Sequence, residues 1–259
     1  MVRSVMFGNR YELKYIIQTK NISALLDSFG QILTPDKNNK NNLGYYNHSI
    51  YFDTQKLRFY RDKQEGLLQR MKPRIRLYRS VNDFDIKSLF LEFKQKNDRT
   101  VFKNRVEIDA QTAMKLLLGC EQPYIDAVAN KNETTELFYQ LSKKYLLQPK
   151  VAVNYKRFAY VSELYPKLRV TVDQSIEASL DVSLRAKKSS FVNILSPRYT
   201  LIEFKYDSQL PKFLSSIIRA HELKNVTFSK YSNAMEVAYE TARSTQNYKH
   251  NLYISAIKG

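Results

Sequence analysis

Between residues 74 and 108 the chain reads Arg74-Ile75-Arg76-Leu77-Tyr78, then Leu91-Glu92-Phe93-Lys94-Gln95-Lys96, then Lys103-Asn104-Arg105-Val106-Glu107-Ile108. Side chains alternate faces along a strand, so Arg74, Arg76 and Tyr78 share a side, as do Glu92, Lys94 and Lys96, and Lys103, Arg105 and Glu107. The other side carries Ile75, Leu77, Leu91, Phe93, Val106 and Ile108. Turn signals at Asn82-Asp83 and Asn97-Asp98 make the segments antiparallel neighbours. Alternation alone fits an ordinary sheet with a solvated outer face. The sign of the charge argues otherwise, because six cations meet only Glu92 and Glu107 on that face, and adjacent like charges repel unless an anion lies between them.

The whole chain shares this imbalance. Lys plus Arg number 42 against 25 Asp plus Glu, a net charge of +17 with pI near 9.7. Such a balance calls for a polyanionic partner, whether nucleic acid, anionic membrane, nucleotide or polyphosphate. With 259 residues, 43% of them hydrophobic, the chain can bury a substantial core. The single Cys120 excludes an intramolecular disulfide framework and a cysteine zinc site; it points to a reducing compartment and to core filling. Residues 1–10 lack the apolar run of a secretory signal, and no stretch approaches the ~20 apolar residues that span a bilayer, so the sequence reads as soluble and cytoplasmic. His48, His221 and His250 lack metal-ligand spacing. Any metal would be held by carboxylate oxygen, which suits Mg²⁺ or Mn²⁺.

Outward from the central stretch, the ionic alternation recurs. Residues 10–17 read as a strand with Arg10, Glu12 and Lys14 on one face, followed by a helix over 21–33 with Ile22, Leu25, Leu26 and Phe29 as its apolar stripe. A polar loop over 35–44 leads to a strand at 45–53; residues 57–61 read as a short strand or turn, and 62–72 as polar and basic without periodicity. Asp109 caps a helix that Gly119 ends, and a second helix covers 133–147. Strands follow at 151–161, with Tyr155 and Arg157, and at 168–173, with Arg169, Thr171 and Asp173 on one face. Ile202-Glu203-Phe204-Lys205 then echoes Leu91-Glu92-Phe93-Lys94. Pro211 opens a helix to 223 and Ser229 caps another to 243, with Phe213, Leu214, Ile217, Ile218, Met235, Val237 and Ala238 expected to cover the outside of a sheet. A single domain over 1–245 and a frayed tail over 246–259 complete the reading. The 19 tyrosines fall mostly on apolar faces, which points to packing.

If the ionic faces looked outward, the helices would have no second apolar surface to cover. A closed antiparallel β-barrel with a charged lumen and helices packed outside uses every element, giving an α+β fold. A lumen so rich in Lys and Arg implies a polyanion with a divalent cation.

Over about residues 8–240 the order Arg10-Tyr11-Glu12-x-Lys14, Tyr51-Phe52-Asp53, Arg74-x-Arg76, Leu91-Glu92-x-Lys94, Lys103-x-Arg105, Tyr155-x-Arg157, Leu168-Arg169, Ile202-Glu203-x-Lys205 and Phe228-Ser229-Lys230-Tyr231 resembles the VTC polyphosphate polymerase domain, a branch of the triphosphate tunnel (CYTH-like) superfamily. The resemblance implies transfer of the ATP γ-phosphoryl group onto polyphosphate, with a triphosphate or polyphosphate hydrolase and a non-catalytic polyanion binder as alternatives. It implies Arg74, Arg76, Lys94, Arg157 and Arg169 as catalytic cations, Lys14, Lys103, Arg105, Tyr155, Lys205, Ser229 and Lys230 as phosphate ligands, and Glu203 as the ligand of Mn²⁺ or Mg²⁺. Glu12, Glu92 and Glu107 are then partners of lumen cations. No nucleic acid is expected, and a membrane partner is left open. Two positions depart from the wider pattern. Arg10 stands where the CYTH signature has a glutamate, as in VTC domains, and Thr227 stands where a lysine is expected.

Overall fold

Period-two alternation carries most of the chain into strands: β1 (Arg10–Gln18), β2 (Thr34–Pro35), β3 (Tyr45–Asp53), β4 (Gln69–Arg79), β5 (Ile86–Asn97), β6 (Thr100–Glu107), β7 (Gln148–Val161), β8 (Arg169–Ser179), β9 (Val192–Asn193) and β10 (Tyr199–Asp207). Helices are α1 (Ile22–Asp27), α2 (Arg58–Gln64), α3 (Ala110–Leu117), α4 (Glu133–Tyr145), α5 (Lys212–Ala220) and α6 (Lys230–Ile257). The computed structural model describes residues 10–39, 42–79, 86–97, 100–118, 132–207 and 209–257. Asn82-Asp83, Asp98, Gly119 and Cys120 lie outside them.

Among the described residues the strands form one 10-stranded antiparallel sheet in the order β1-β10-β8-β7-β3-β4-β5-β6, with β2 added to β7 and β9 to β8. Among the described residues no ladder returns from β6 to β1, so the ladders do not by themselves close the expected barrel. The sheet nevertheless wraps far enough for Glu12 of β1 to meet Lys94 of β5 at 3.1 Å. The segment entering α6 runs along β1 and reaches across to β4. Tyr15 bridges Asn225, Val226 N donates to Lys14 O at 2.8 Å, and Ser229 Oγ accepts from Lys72 Nζ of β4 at 2.7 Å.

Outside the sheet lie two apolar cores. Ile75, Leu77, Leu91, Phe93 and Val106 pack beneath Ala113 and Leu116 of α3 and Phe138 of α4. Val170, Val172, Ile202 and Phe204 pack beneath Leu25 of α1 and Leu214 and Ile217 of α5. Burial of such surface, worth about 25 cal/mol per Å², fixes which strand face turns outward.

The third core corrects the expectation that every helix lies outside. Tyr231, Ala234, Met235 and Ala238 of α6 pack on Tyr51, Val151, Val153, Tyr155, Ile176, Ala178 and Leu201, which stand on the same face as Arg157 and Glu203. That face is therefore divided, ionic in one part and apolar in the other, and α6 covers the apolar part. A β-bulge in β8 allows this. Lys156 opposes Gln174 and Asn154 opposes Glu177, so β8 carries one extra residue there, with Ser175 at φ +50°. Asp173 before the bulge and Ile176 and Ala178 after it consequently share the inner face.

Residues 57–61, expected as a short strand or turn, instead lead into α2, which continues to Gln64 in the stretch read as without periodicity. The carboxylate of Asp53 takes the freed N–H groups of Phe59 and Tyr60 at 3.0 and 2.9 Å, which satisfies the helix N-terminus. Tyr231 OH donates to the same carboxylate at 2.5 Å and so ties α6 to this corner. Asp109 caps α3 as expected, accepting from Thr112 N at 2.6 Å. α6 runs on through Ile257, past the point where the sequence reading ends the domain. Among the described residues no helix is long and apolar enough to cross a membrane.

Candidate functional site

Every site residue singled out from the sequence borders one cavity of about 960 Å³ on the inner face. Lys14 comes from β1, Arg74 and Arg76 from β4, Lys94 from β5, Lys103 and Arg105 from β6, Tyr155 and Arg157 from β7, Arg169 from β8, Glu203 and Lys205 from β10, and Ser229 and Lys230 from the start of α6. For the strand cations and Glu203 the period of two places them there, with neighbours such as Ile75, Leu77, Phe93, Val106, Val170 and Phe204 drawn into an outer core, whereas Ser229 and Lys230 arrive with α6.

The cations are organised around carboxylates. Glu92, fully buried, accepts from Arg74 Nε and Nη2 at 3.0 and 2.7 Å and pairs with Lys103 at 2.8 Å and Arg76 at 3.7 Å. Asp173, also fully buried, is gripped by Arg157 through two bonds of 2.6 Å and pairs with Lys230 at 2.6 Å. Glu203 lies among Lys205 at 2.5 Å, Lys230 at 3.0 Å, Arg157 at 3.5 Å and Lys14 at 3.6 Å. Glu12 pairs with Lys14 and Lys94, both at 3.1 Å. Arg169 is held by Asp36, from the loop expected to be merely polar, at 2.6 Å. Glu107 is exposed, and Arg105 is exposed over the Phe90 ring at 3.6 Å.

These contacts set the protonation states. Burial alone would raise the Glu203 carboxyl, but Lys205, Lys230, Lys14 and Arg157 outweigh it and hold it well below the usual carboxylate range. Glu92 is held low in the same way by Arg76, Arg74 and Lys103. Among the cations burial pulls the other way: it lowers Lys205 to about 8 against the support of Glu203, and Lys103 to about 8 against that of Glu92. Lys230 ends above its ordinary value because Asp173 and Glu203 overcome its burial.

Tyr51 and Lys72 escaped the sequence reading as cavity residues, and Tyr155, expected as a phosphate ligand, also underlies two cations. The tyrosines on the inner face are not simply packing groups. Tyr155 lies beneath Arg157 and Lys230, 5.1 and 4.9 Å from the ring centre, and Tyr51 beneath Arg74 at 5.7 Å, where its hydroxyl also accepts from Arg74 Nη1 at 3.1 Å. Lys72, in a stretch read as lacking periodicity, lines the cavity. The signal for it was present, since Arg70, Lys72, Arg74 and Arg76 continue one alternate row with Pro73 between.

The donor set has one arrangement that suits a divalent cation. Lys14 stands opposite Glu203 and Lys205 opposite Glu12, so Glu12 and Glu203 are diagonal neighbours on one face of β1 and β10, both contacting Lys14. No group of three or more His, Cys, Asp or Glu forms a cage among the described residues. Mg²⁺ and its like are commonly held by one or two carboxylates with substrate phosphates completing the shell, and Glu203, with Glu12 beside it, fits that mode.

A family model described as VTC domain matches residues 9–239. No curated protein matches the chain. Among solved structures, a candidate adenylate cyclase from Bacillus halodurans is similar at 11% identity and TM-score 0.49, with 86% of this chain and 96% of that one covered. A candidate adenylyl cyclase from Hippeastrum, described as having a dominant triphosphatase activity, is similar at 13% identity and TM-score 0.49, covering 88% and 95%.

Proposed function

The chain belongs to the VTC domain family, and on that premise we propose that it is a phosphate-handling enzyme that moves the γ-phosphoryl group of ATP onto a polyphosphate chain within the basic cavity. The observation that carries this reading is the excess of cations over carboxylates around one cavity, with Glu203 held mainly by lysines.

Phosphoryl transfer needs little covalent participation from side chains; it needs an in-line arrangement and stabilisation of the equatorial oxygens. In this reading Arg74, Arg76, Arg157 and Arg169, with Lys94, hold the triphosphate. Their carboxylate and tyrosine partners fix each guanidinium before substrate arrives, so little ordering entropy is left to lose. Lys14, Lys103, Arg105, Tyr155, Lys205, Ser229 and Lys230 complete the grip on the chain. A terminal phosphate oxygen of the acceptor attacks the γ-phosphorus, the new P–O bond forms as the bond to the β-phosphate oxygen breaks, and ADP leaves. Glu203, with Glu12 beside it, would hold Mn²⁺ or Mg²⁺, which when bound neutralises charge on the phosphate oxygens. On phosphate binding, Lys205, Lys230 and Lys14 exchange the Glu203 carboxylate for ligand oxygens.

The test is incubation of the protein with ATP and Mn²⁺, following ADP, inorganic phosphate and long anionic polymer. ADP together with polymer is expected. Inorganic phosphate without polymer makes water the acceptor and the protein a hydrolase. Neither ADP nor polymer leaves a non-catalytic polyanion binder.

A further inference from the structure

Two neighbouring rows that cross β4, β5 and β6 differ in sign. Arg74, Glu92 and Arg105 stand directly opposite one another, so charge alternates along that row. One step along the strands, Lys72, Lys94 and Lys103 stand opposite one another with no carboxylate among them. Directly opposed like charges destabilise a sheet, so such a row either draws carboxylates from elsewhere or keeps a place for an anion. Lys94 draws Glu12 from β1 at 3.1 Å, and Lys103 draws Glu92 at 2.8 Å. Lys72 draws neither: among the described residues its partner is the neutral Ser229 hydroxyl, at 2.7 Å. The charges that act on it most strongly are cations, Lys94 of β5, Lys14 of β1, Arg70 of its own strand and Lys63 of α2, which border the same cavity, while the Glu12 carboxylate nearby is taken up by Lys14 and Lys94.

We propose that Lys72 is a phosphate-binding residue, and that the polyanion crosses the Lys72–Lys94–Lys103 row and continues toward Arg70 and Lys63. The inference rests on the phosphate-handling reading of the cavity and deepens it, since the site then takes a chain longer than a triphosphate. A consequence follows for protons. Burial, with those four cations, lowers the Lys72 ammonium well below its ordinary value. A phosphate arriving beside it reverses the second of these causes, so binding draws a proton onto Nζ.

Titration calorimetry of the whole chain with tripolyphosphate and with long-chain polyphosphate, each in buffers of different ionisation enthalpy, tests this. Lys72→Met should weaken long-chain binding about tenfold or more, the worth of one charge-assisted hydrogen bond, weaken tripolyphosphate binding less, and reduce proton uptake. Lys72→Arg, already charged, should keep the affinity and lose the same part of the uptake, which also guards against a folding defect in the methionine variant. Unchanged long-chain affinity and unchanged uptake in Lys72→Met would overturn the assignment. Equal weakening for both ligands would overturn the route toward Arg70 and Lys63. If the wild-type protein binds neither ligand, it is the phosphate reading of the cavity that fails.

Discussion

Leu91-Glu92-Phe93-Lys94 in β5 and Ile202-Glu203-Phe204-Lys205 in β10 are nearly the same tetrapeptide in the same kind of strand, yet their glutamates do different work. Glu92 is reached by two arginines and one lysine, and its own Lys94 turns away to Glu12. Glu203 is reached by its own Lys205, by Lys230 and Lys14, and by Arg157 only at 3.5 Å. Guanidinium forks are planar and pre-organised, whereas ammonium groups on flexible stems exchange partners readily. The first glutamate is thus a strut that fixes Arg74 and Arg76, and the second is a carboxylate that can be released to a new ligand. Motif identity fixed the strand and the inward face; the neighbours supplied by other strands fixed the role.

The sharpest way to break this contrast is Glu203→Gln. Phosphoryl transfer from ATP with Mn²⁺ should fall about a thousandfold, the upper range for losing one group that stabilises developing charge, while metal-free tripolyphosphate binding persists in calorimetry. Loss of both together would make Glu203 a strut as well. Glu92→Gln should act on stability instead. Leaving Arg74, Arg76 and Lys103 without their buried counter-charge should cost about 3–5 kcal/mol in denaturant unfolding, and a cost near zero would remove the distinction. The mildest probe is pH. Lys205 and Lys103, held at about 8 in the folded chain against an ordinary 10.5, lose their protons early. Between pH 8 and 10 the unfolded state binds more protons than the folded one, so these lysines make the ligand-free protein more stable as pH rises. Tyr78, lowered to about 8 because Arg76 outweighs its burial, acts in the same direction. Tripolyphosphate affinity should fall across the same window, since two cations are being discharged. Parallel rather than opposed trends in melting temperature and affinity would count against the assignment.

The inner row of charges was legible because a strand has a period of two and each ionic residue is flanked by a residue that an outer core claims. Arg74, Arg76, Lys94, Arg157 and Glu203 all follow that rule. Position across the sheet was not legible in the same way. An apolar stripe on α6 states that Met235 and Ala238 are buried, but not on which face, and only the luminal Val151, Val153 and Leu201 decide it. Nor does periodicity reveal a long-range partner: Asp36 joins Arg169 across the fold from a loop that reads as solvent-facing. Nor do pairing signals within strands tell that segment 225–229 lies along β1 and reaches Lys72 of β4.

The extra residue in β8 keeps the two halves of the inner face in step. Arg169, Thr171 and Asp173 keep one phase of the alternation, and Ile176 and Ala178 keep the other. Without that shift the next inward positions would be Ser175 and Glu177, and a carboxylate would lie beneath α6. With it, Glu177 instead meets the exposed Lys188 on the far side. The border between the ionic half of the face and the seat of the helix is therefore counted in single residues, and an insertion or deletion between Asp173 and Ile176 would exchange one half's chemistry for the other's.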